Sequence, residues 1–176
     1  DFLVTSIDTS FVVVVGGGNS AIQEAIFLTR YTTHIDLLVR STIKASDVLQ
    51  QELQKYVDEG KIAVHLGTTT DEIVTEDNKV TKVRGTKDGE EIEFNVDGIF
   101  IFVGLKPNTQ FLDGTGIELD EQGLIKTDQK LETTMSGVFA SGDVRSGATM
   151  QIASAVGEGA TAALSIREYL TEKARA

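Results

Sequence analysis

The sequence predicts an α/β fold built on a parallel sheet, and three observations support this prediction. Runs rich in apolar residues at 11–15, 34–39 and 61–66 have the length and continuity of buried parallel strands. Two segments with apolar residues at helical spacing separate these runs, which gives the order strand, helix, strand, helix, strand. After Thr70 the pattern changes to short segments of alternating polarity joined by turn dipeptides.

The first strand runs directly into a glycine turn that opens a helix. The strand is Phe11–Val15, and Gly-Gly-Gly-Asn-Ser-Ala follows at 16–21. We expect a helix over roughly 20–30 with Asn19 as its N-cap. The second helix is expected to be capped by Ser46 and to stop at Gly60.

A three-stranded meander is predicted next, at 72–76, 79–87 and 90–96. Asp77-Asn78 and Asp88-Gly89 supply its two turns. The continuous apolar run at 99–103 predicts a buried strand that returns to the parallel sheet. We therefore expect the first domain to span 11–104.

The remaining chain is predicted to be a different unit. Short strands are expected at 124–127 and 138–140, and a long helix is expected from Gln151 to Tyr169. Gly157 and Gly159 within that helix suggest close packing against a backbone or a ligand.

Composition excludes several classes of function. The net charge is −11, and phosphate backbones or anionic membrane surfaces would be repelled, so we expect no nucleic-acid or membrane partner. No apolar run approaches the roughly 18 residues that span a bilayer. Without a signal-peptide pattern, the expected location is cytoplasmic. The chain begins without Met, which indicates that it is processed, trimmed or cut from something longer.

Cysteine and histidine chemistry is also restricted. The sequence has no cysteine, which removes disulfides, thiolate metal sites and cysteine nucleophiles from this chain. Neither His34 nor His65 has a carboxylate or a second histidine at ligand spacing in the sequence. We expect both to be packed or surface histidines, and we expect no metal site.

The glycine turn predicts a dinucleotide site. Gly16 permits the tight turn, Gly18 lets a pyrophosphate approach the backbone, and the small Ala21 lets the helix pack on the strand. The helix start would then offer N–H groups and a positive dipole end to the phosphates. The alternative is a glycine-rich turn in some other α/β protein.

The residues after the second strand favour NADP(H) over NAD(H). An NAD site usually has an acidic residue at this strand end, whereas Arg40 and Lys44 place positive charge here. Asp36 lies earlier in the strand and is expected to be structural or edge-facing. The alternative is that the two cations are simply solvated on the surface.

Several motifs occurring in a fixed order resemble one family. These are the glycine turn with Glu24, the 39–45 stretch, Gly-Leu-Lys-Pro-Asn-Thr at 104–109, Gly-Val-Phe-Ala-Ser-Gly-Asp-Val at 137–144 and Gln-Ile-Ala-Ser-Ala-Val-Gly-Glu-Gly-Ala at 151–160. Together they resemble the low-molecular-weight thioredoxin reductases and the related alkyl hydroperoxide reductase flavoproteins. The similarity extends over about 11–170.

This resemblance implies a Rossmann-like NADPH domain at 11–104, inserted into an FAD domain represented by 1–10 and 105–176. The resemblance implies hydride transfer from NADPH to FAD, with electrons passing to a thioredoxin-like or peroxidase-type disulfide protein, and also implies a homodimer. No catalytic side chain is assigned. The cofactor-binding residues it implies are Gly16, Gly18, Asn19, Ser20 and Ala21 for the pyrophosphate, Glu24 near the nicotinamide, Arg40 and Lys44 for the 2′-phosphate, and Gly104, Gly142, Asp143, Gln151 and Ile152 for the flavin side.

The chain departs from the family pattern in three ways. The Cys-x-x-Cys pair and the second glycine-rich turn of an FAD site have no counterpart, and Ser41 stands where the family often has a second arginine. We therefore expect a fragment of a larger reductase that is inactive alone. The alternatives are a non-enzymatic NADP(H)-binding or sensing module and a cysteine-independent enzyme similar to the ferredoxin–NADP reductases.

Overall fold

A computed structural model describes residues 11–175, so the expectation for residues 1–10 lies outside the described residues. The chain divides into two compact units, with the boundary between Gly104 and Leu105. The elements of the first unit are β1 (Phe11–Val15), α1 (Asn19–Leu28), β2 (His34–Val39), α2 (Asp47–Asp58), β3 (Ile62–Leu66), β4 (Glu72–Glu76), β5 (Lys79–Lys87), β6 (Glu90–Asn95) and β7 (Gly98–Ile101).

The first unit is a parallel sheet covered on both faces. Its strand order is β3-β2-β1-β7, and all the pairs are parallel. One face packs on the two helices through a core that includes Val12, Leu37 and Ala25. The opposite face packs on the meander through a core that includes Val13 and Val83. The predicted α/β fold with a parallel sheet and a separate three-stranded sheet is confirmed.

The meander follows the predicted turn chemistry. β4, β5 and β6 pair in sequence order and antiparallel. Asp77, Asn78, Asp88 and Gly89 all have positive φ, between 50° and 86°. Two consecutive residues of this kind form the tight hairpin turns that match the natural twist of the strands.

The last strand is shorter and more exposed than the sequence predicts. β7 ends at Ile101, and Val103 is exposed. Ile101 is exposed too, because β7 forms the end of the described sheet and pairs only with β1 there. The expectation of a buried strand over 99–103 was therefore wrong in its extent and burial. An apolar run cannot distinguish a central strand from an edge strand.

The two histidines do have a carboxylate neighbour. Asp36 Oδ1 lies 2.7 Å from His65 Nε2 and 3.6 Å from His34 Nε2. The His65 ring also meets the Phe94 ring edge-on, with 4.9 Å between centroids. The expectation that no carboxylate lies near either histidine was wrong, because strand pairing brings His65 of β3 to Asp36 and because His34 lies only two positions from Asp36 in β2. Asp36 has a structural role on the meander side of the sheet.

The second unit has little regular structure apart from one long helix. That helix, α3, spans Ile152–Lys173. Segments 124–127 and 138–140 form isolated bridges rather than the predicted strands. Asp120 and Asp128 each accept backbone N–H groups from the loops that follow them. These side chains satisfy part of the backbone locally, as aspartate does in turns.

The glycines of α3 do not pack closely against another backbone within the described residues, and close packing against a ligand stays a prediction. A Cβ built on Gly157 or Gly159 would meet no atom of the described chain within 4 Å. Several large apolar side chains of the same helix are exposed: Ile152, Val156, Leu164, Ile166 and Leu170. Among residues 11–175, this surface of α3 packs against little.

An ion pair joins the Gly142 turn to α3. The guanidinium of Arg145 binds the Glu158 carboxylate through Nε, at 3.1 Å, and through Nη2. Glu158 Oε2 also accepts the Gly142 N–H at 2.8 Å. Both side chains are more than four-fifths buried. The hydrogen bond and charge of Arg145 lower the pKa of Glu158 below its ordinary 4.5, and Glu158 raises the pKa of Arg145.

We expect Glu158→Gln to destabilise α3 by about 1–3 kcal/mol at pH 7, because it leaves Arg145 without its anionic partner. The lowered pKa means that the stabilisation is complete above pH 4.5 and is lost as the pH falls through the folded-state value. The difference between the two proteins should therefore shrink in acid. Hydrogen exchange of the α3 amides in the wild type and in Glu158→Gln, at pH 7 and in acid, measures this difference.

Glu168→Gln is the matched control. Glu168 pairs with Lys130 at 3.1 Å, but both side chains are more than half exposed. Solvent screens such a pair, so exchange in α3 should stay at the wild-type level. A Glu158→Gln effect no larger than that of the control would contradict the role given to the ion pair.

Candidate functional site

The first glycine of the turn lies against the end of β7. Gly16 has φ +138°, and a Cβ built on it would lie 2.3 Å from the carbonyl oxygen of Phe102. The Gly16 N–H donates to Leu38 O at 2.9 Å, and the Phe102 N–H donates to Val15 O at 2.7 Å. This position therefore needs glycine for both its backbone angle and its space.

The second glycine lies against the loop that follows β2. A Cβ on Gly17 would meet Val39 Cγ1 at 2.8 Å and Thr42 O at 3.1 Å. The carbonyl oxygen of Gly17 accepts the N–H of Lys44 at 2.7 Å. The sequence pattern gives no sign of this contact, because the loop that Gly17 meets is distant along the chain.

The third glycine faces open space at the start of α1. A Cβ on Gly18 would meet no atom of the described chain within 4 Å. Gly18 is the N-cap residue, and within residues 11–175 no side chain caps the first turn of the helix. The first N–H groups of a helix have no intrahelical partner, so this end of α1 offers donors to a ligand.

Asn19 does not cap the helix, contrary to the sequence-based expectation. It is the first residue of α1, and its Oδ1 accepts the N–H of Ser46 at 2.9 Å. Ser46 is the N-cap residue of α2, as predicted by position, but its own side chain makes no capping bond. The Asn19 side chain thus joins the starts of the two helices.

The remaining predicted site residues of α1 differ in how deeply they are buried. Ala21 is fully buried, and its Cβ would lie 3.0 Å from a Cβ on Gly16, which explains the small residue here. Ser20 is exposed beside the glycine turn. Glu24 is exposed about one helical turn further along α1.

The loop at 40–46 carries the predicted cations. Arg40 and Lys44 are exposed, whereas Ala45 is buried in the helix-side core. The structure thus brings the loop to the glycine turn, with Arg40 and Lys44 in the segment that contacts Gly17. Asp36 lies elsewhere, paired with His65, so it does not supply an acid at the strand end.

The predicted residues of the flavin side lie in separate parts of the chain. Gly104 is exposed at the end of the first unit. Gly142, with φ +76°, begins a short 3₁₀ turn at Gly142–Val144, and a Cβ built on it would lie 3.3 Å from Ala155 Cβ of α3. Gln151 is the N-cap residue of α3, and Ile152 is its first residue and is exposed.

Asp143 lines an open cleft of about 470 Å³ within the second unit. Leu105, Pro107 and Met150 also line the cleft. Met150 has φ +56°, which is unusual for a residue other than glycine, and it lies directly before Gln151. This backbone feature could not be predicted from the sequence, because methionine gives no local signal for a positive φ.

Two kinds of feature are absent from the described residues. No group of three or more histidine, aspartate or glutamate side chains within residues 11–175 could hold a metal ion. None of the helices in the described part of the chain combines the length and apolar character needed to cross a membrane.

Comparisons with a family model and with individual proteins indicate the same family. The family model of the pyridine nucleotide-disulphide oxidoreductases matches residues 4–159. The chain is 37% identical to a thioredoxin reductase of Bacillus subtilis over 163 residues, which is 91% of this chain and 50% of that protein. It is 39% identical to an alkyl hydroperoxide reductase component of Staphylococcus aureus, covering 90% of this chain and 31% of that protein.

Comparison with solved structures indicates the same family. The fold matches a thioredoxin reductase of Lactococcus lactis with a TM-score of 0.74 and 37% identity, covering 94% of this chain and 54% of that one. A thioredoxin reductase of T. acidophilum matches with a TM-score of 0.72 and 39% identity, covering 92% and 52%. The chain thus spans about half the length of these thioredoxin reductases. On the family model and these relatives together, the chain belongs to the pyridine nucleotide-disulphide oxidoreductase family.

Proposed function

We propose that residues 11–104 are the NADPH-binding part of a thioredoxin-reductase-like flavoenzyme. The observation that carries the proposal is the junction of three features at one edge of the sheet. Gly18 faces open space, the first turn of α1 has no side-chain cap in the described residues, and the cationic loop packs on Gly17. When bound, NADPH supplies a hydride and FAD accepts it.

The glycine turn would hold the part common to all nicotinamide dinucleotides. The N–H groups of Asn19, Ser20 and Ala21 begin α1, where backbone donors and the helix dipole favour an anion. Open space at Gly18 would let a pyrophosphate approach the backbone. Glu24, one turn further along α1, would lie toward the nicotinamide.

The 40–46 loop would select the phosphorylated nucleotide. Arg40 and Lys44 are exposed cations on a segment fixed to the glycine turn. A guanidinium binds phosphate through paired N–H donors, and an ammonium adds a compact charge. These two side chains would contact the ribose 2′-phosphate, which NADPH has and NADH lacks.

Residues 105–176 would supply part of an FAD site. Asp143 would hydrogen-bond the ribityl chain, and Gly142 would fix the turn that carries it. Gln151 and Ile152 would lie beside the flavin ring, where the N-terminal dipole of α3 favours an anionic reduced flavin. The exposed apolar side chains of α3 support this proposal, because such a surface fits a site completed by further protein or by flavin.

The partner of the whole protein would be a disulfide protein. The names of the relatives, thioredoxin reductase and alkyl hydroperoxide reductase, support a thioredoxin-like or peroxidase-type acceptor. If these 176 residues were the whole protein, the absence of cysteine would favour a second candidate, in which the chain binds NADP(H) without disulfide chemistry. Flavin retained by the full-length gene product, rather than by these 176 residues alone, separates the two, since a binding module needs none.

Two glycine variants separate folding from binding. Gly18→Ala should weaken NADPH and NADH alike, because its methyl enters the space proposed for the pyrophosphate, and should cost at most about 1 kcal/mol of stability at this N-cap position. Gly16→Ala should cost more than about 2 kcal/mol, because its methyl would meet Phe102 O. Urea unfolding and nucleotide titration measure the two effects. Unchanged binding in Gly18→Ala would contradict the proposal.

Arg40→Ala should weaken NADPH about tenfold and NADH much less, because it removes one charged contact worth roughly 1.4 kcal/mol. Fluorescence titration of both nucleotides gives the ratio. Arg30→Ala is the matched control, since Arg30 is an exposed cation that lies over the Phe27 ring. Equal losses for both nucleotides in Arg40→Ala would refute the role of Arg40 at the 2′-phosphate.

The purified chain should bind NADPH, hold no flavin and reduce no disulfide, because these 176 residues offer no cysteine to accept electrons. Visible absorbance of the purified protein and a disulfide-reduction assay test this directly. Stoichiometric flavin would show that residues 105–176 suffice for an FAD site. Failure to bind either nucleotide would overturn the NADPH proposal.

A further inference from the structure

We propose that Asn19 is a positioning residue that sets the discrimination between NADPH and NADH. Its side chain would do so by holding the cationic 40–46 loop against the glycine turn. The inference rests on the proposed NADPH site, and it assigns to Asn19 a role in specificity that its backbone N–H cannot supply.

Two hydrogen bonds fix the end of the loop to the glycine turn. Asn19 Oδ1 accepts the Ser46 N–H at 2.9 Å, and Gly17 O accepts the Lys44 N–H at 2.7 Å. Ala45, between these two residues, is 5% exposed and packs in the core. Three consecutive residues are therefore held by three different contacts.

The other end of the loop is held by β2. Val39 is the last residue of that strand, and its side chain is buried. A Cβ built on Gly17 would lie 2.8 Å from Val39 Cγ1, so the two residues are close neighbours. Arg40 and Lys44 lie between these fixed points. The directions available to the two cations therefore depend on how tightly the 44–46 end is attached.

The position of Asn19 suits a hydrogen bond to the 40–46 loop better than a role as the N-cap of α1. It occupies the first helical position, and the cap residue is Gly18. Alanine has a higher helix propensity than asparagine, so Asn19→Ala should not weaken α1 itself. What alanine removes is the acceptor for Ser46.

Loss of this link should affect the two nucleotides unequally. Both nucleotides share the pyrophosphate, which would bind the backbone at the start of α1. Only NADPH carries the 2′-phosphate, which would bind cations on the loop. A looser loop therefore weakens the contacts made by NADPH alone, whereas a general loss of structure would weaken both nucleotides.

The experiment removes the same hydrogen bond from each side. Asn19→Ala removes the acceptor, and Ser46→Pro removes the donor N–H, at a residue whose φ of −58° already suits proline. Each variant should weaken NADPH relative to NADH. The dissociation constant of NADH divided by that of NADPH should fall about fivefold, as expected for one lost hydrogen bond. The double variant should lose no more than either single one, because the bond is lost only once.

Gln54→Ala is the control on the same helix. Its side chain also makes a hydrogen bond, to Asp58 at 2.8 Å, but near the other end of α2. The nucleotide ratio should stay at the wild-type value. Faster hydrogen exchange at the Ser46 amide in Asn19→Ala would confirm, without any nucleotide, that the link is present in solution.

An unchanged ratio in Asn19→Ala, or full additivity in the double variant, would overturn the inference. Equal weakening of NADPH and NADH would overturn it as well, because it would assign Asn19 to the shared part of the site. If the wild-type chain bound neither nucleotide, the NADPH proposal itself would fail. The wild-type titration therefore separates the two kinds of failure.

Discussion

The architecture around β1 depends on how closely the backbone of the glycine turn approaches its neighbours. Gly16 lies against the end of β7, Gly17 lies against the loop after β2, and Gly18 faces open space. A side chain at the first position would push away a strand, and one at the second would push away the loop. The missing side chain of the third glycine contacts no neighbour and leaves open space at the proposed site. Three adjacent identical residues thus serve a strand, a loop and the proposed site.

The same turn explains how an acidic protein could hold an anionic ligand. The net charge of −11 opposes phosphate at long range, where salt screens much of the effect. At short range, the N–H groups at the start of α1 act as fixed donors, and Arg40 and Lys44 add local charge. Interactions with the backbone donors are common to every dinucleotide, so they contribute affinity without selectivity. In the proposed site, selectivity for NADPH would have to come from the 40–46 loop, and the degree of selectivity would depend on how firmly the loop is held.

Local sequence rules predicted the first unit well and the contacts between its parts poorly. Strand runs, helix spacing and two-residue turns are local, so the order of β1 to β6 followed from them. The hydrogen bond from Ser46 to Asn19 joins residues 27 positions apart, and a local capping rule assigned Asn19 differently. The Asp36–His65 contact spans 29 positions and follows only from strand pairing. In the second unit, Asp120 and Asp128 satisfy the backbone through their side chains, a pattern that apolar periodicity does not reveal.

The two units are stabilised by different means, and this affects where function can be measured. The first unit buries apolar side chains on both faces of its sheet, so its fold and its proposed nucleotide site draw on the same core. The second unit relies more on polar links, such as the ion pair between Arg145 and Glu158, and α3 exposes much apolar surface. Burying that surface would add stabilisation in proportion to its area. Nucleotide binding should therefore be a property of this chain as it is, whereas flavin chemistry should require the contacts that α3 still lacks among the described residues.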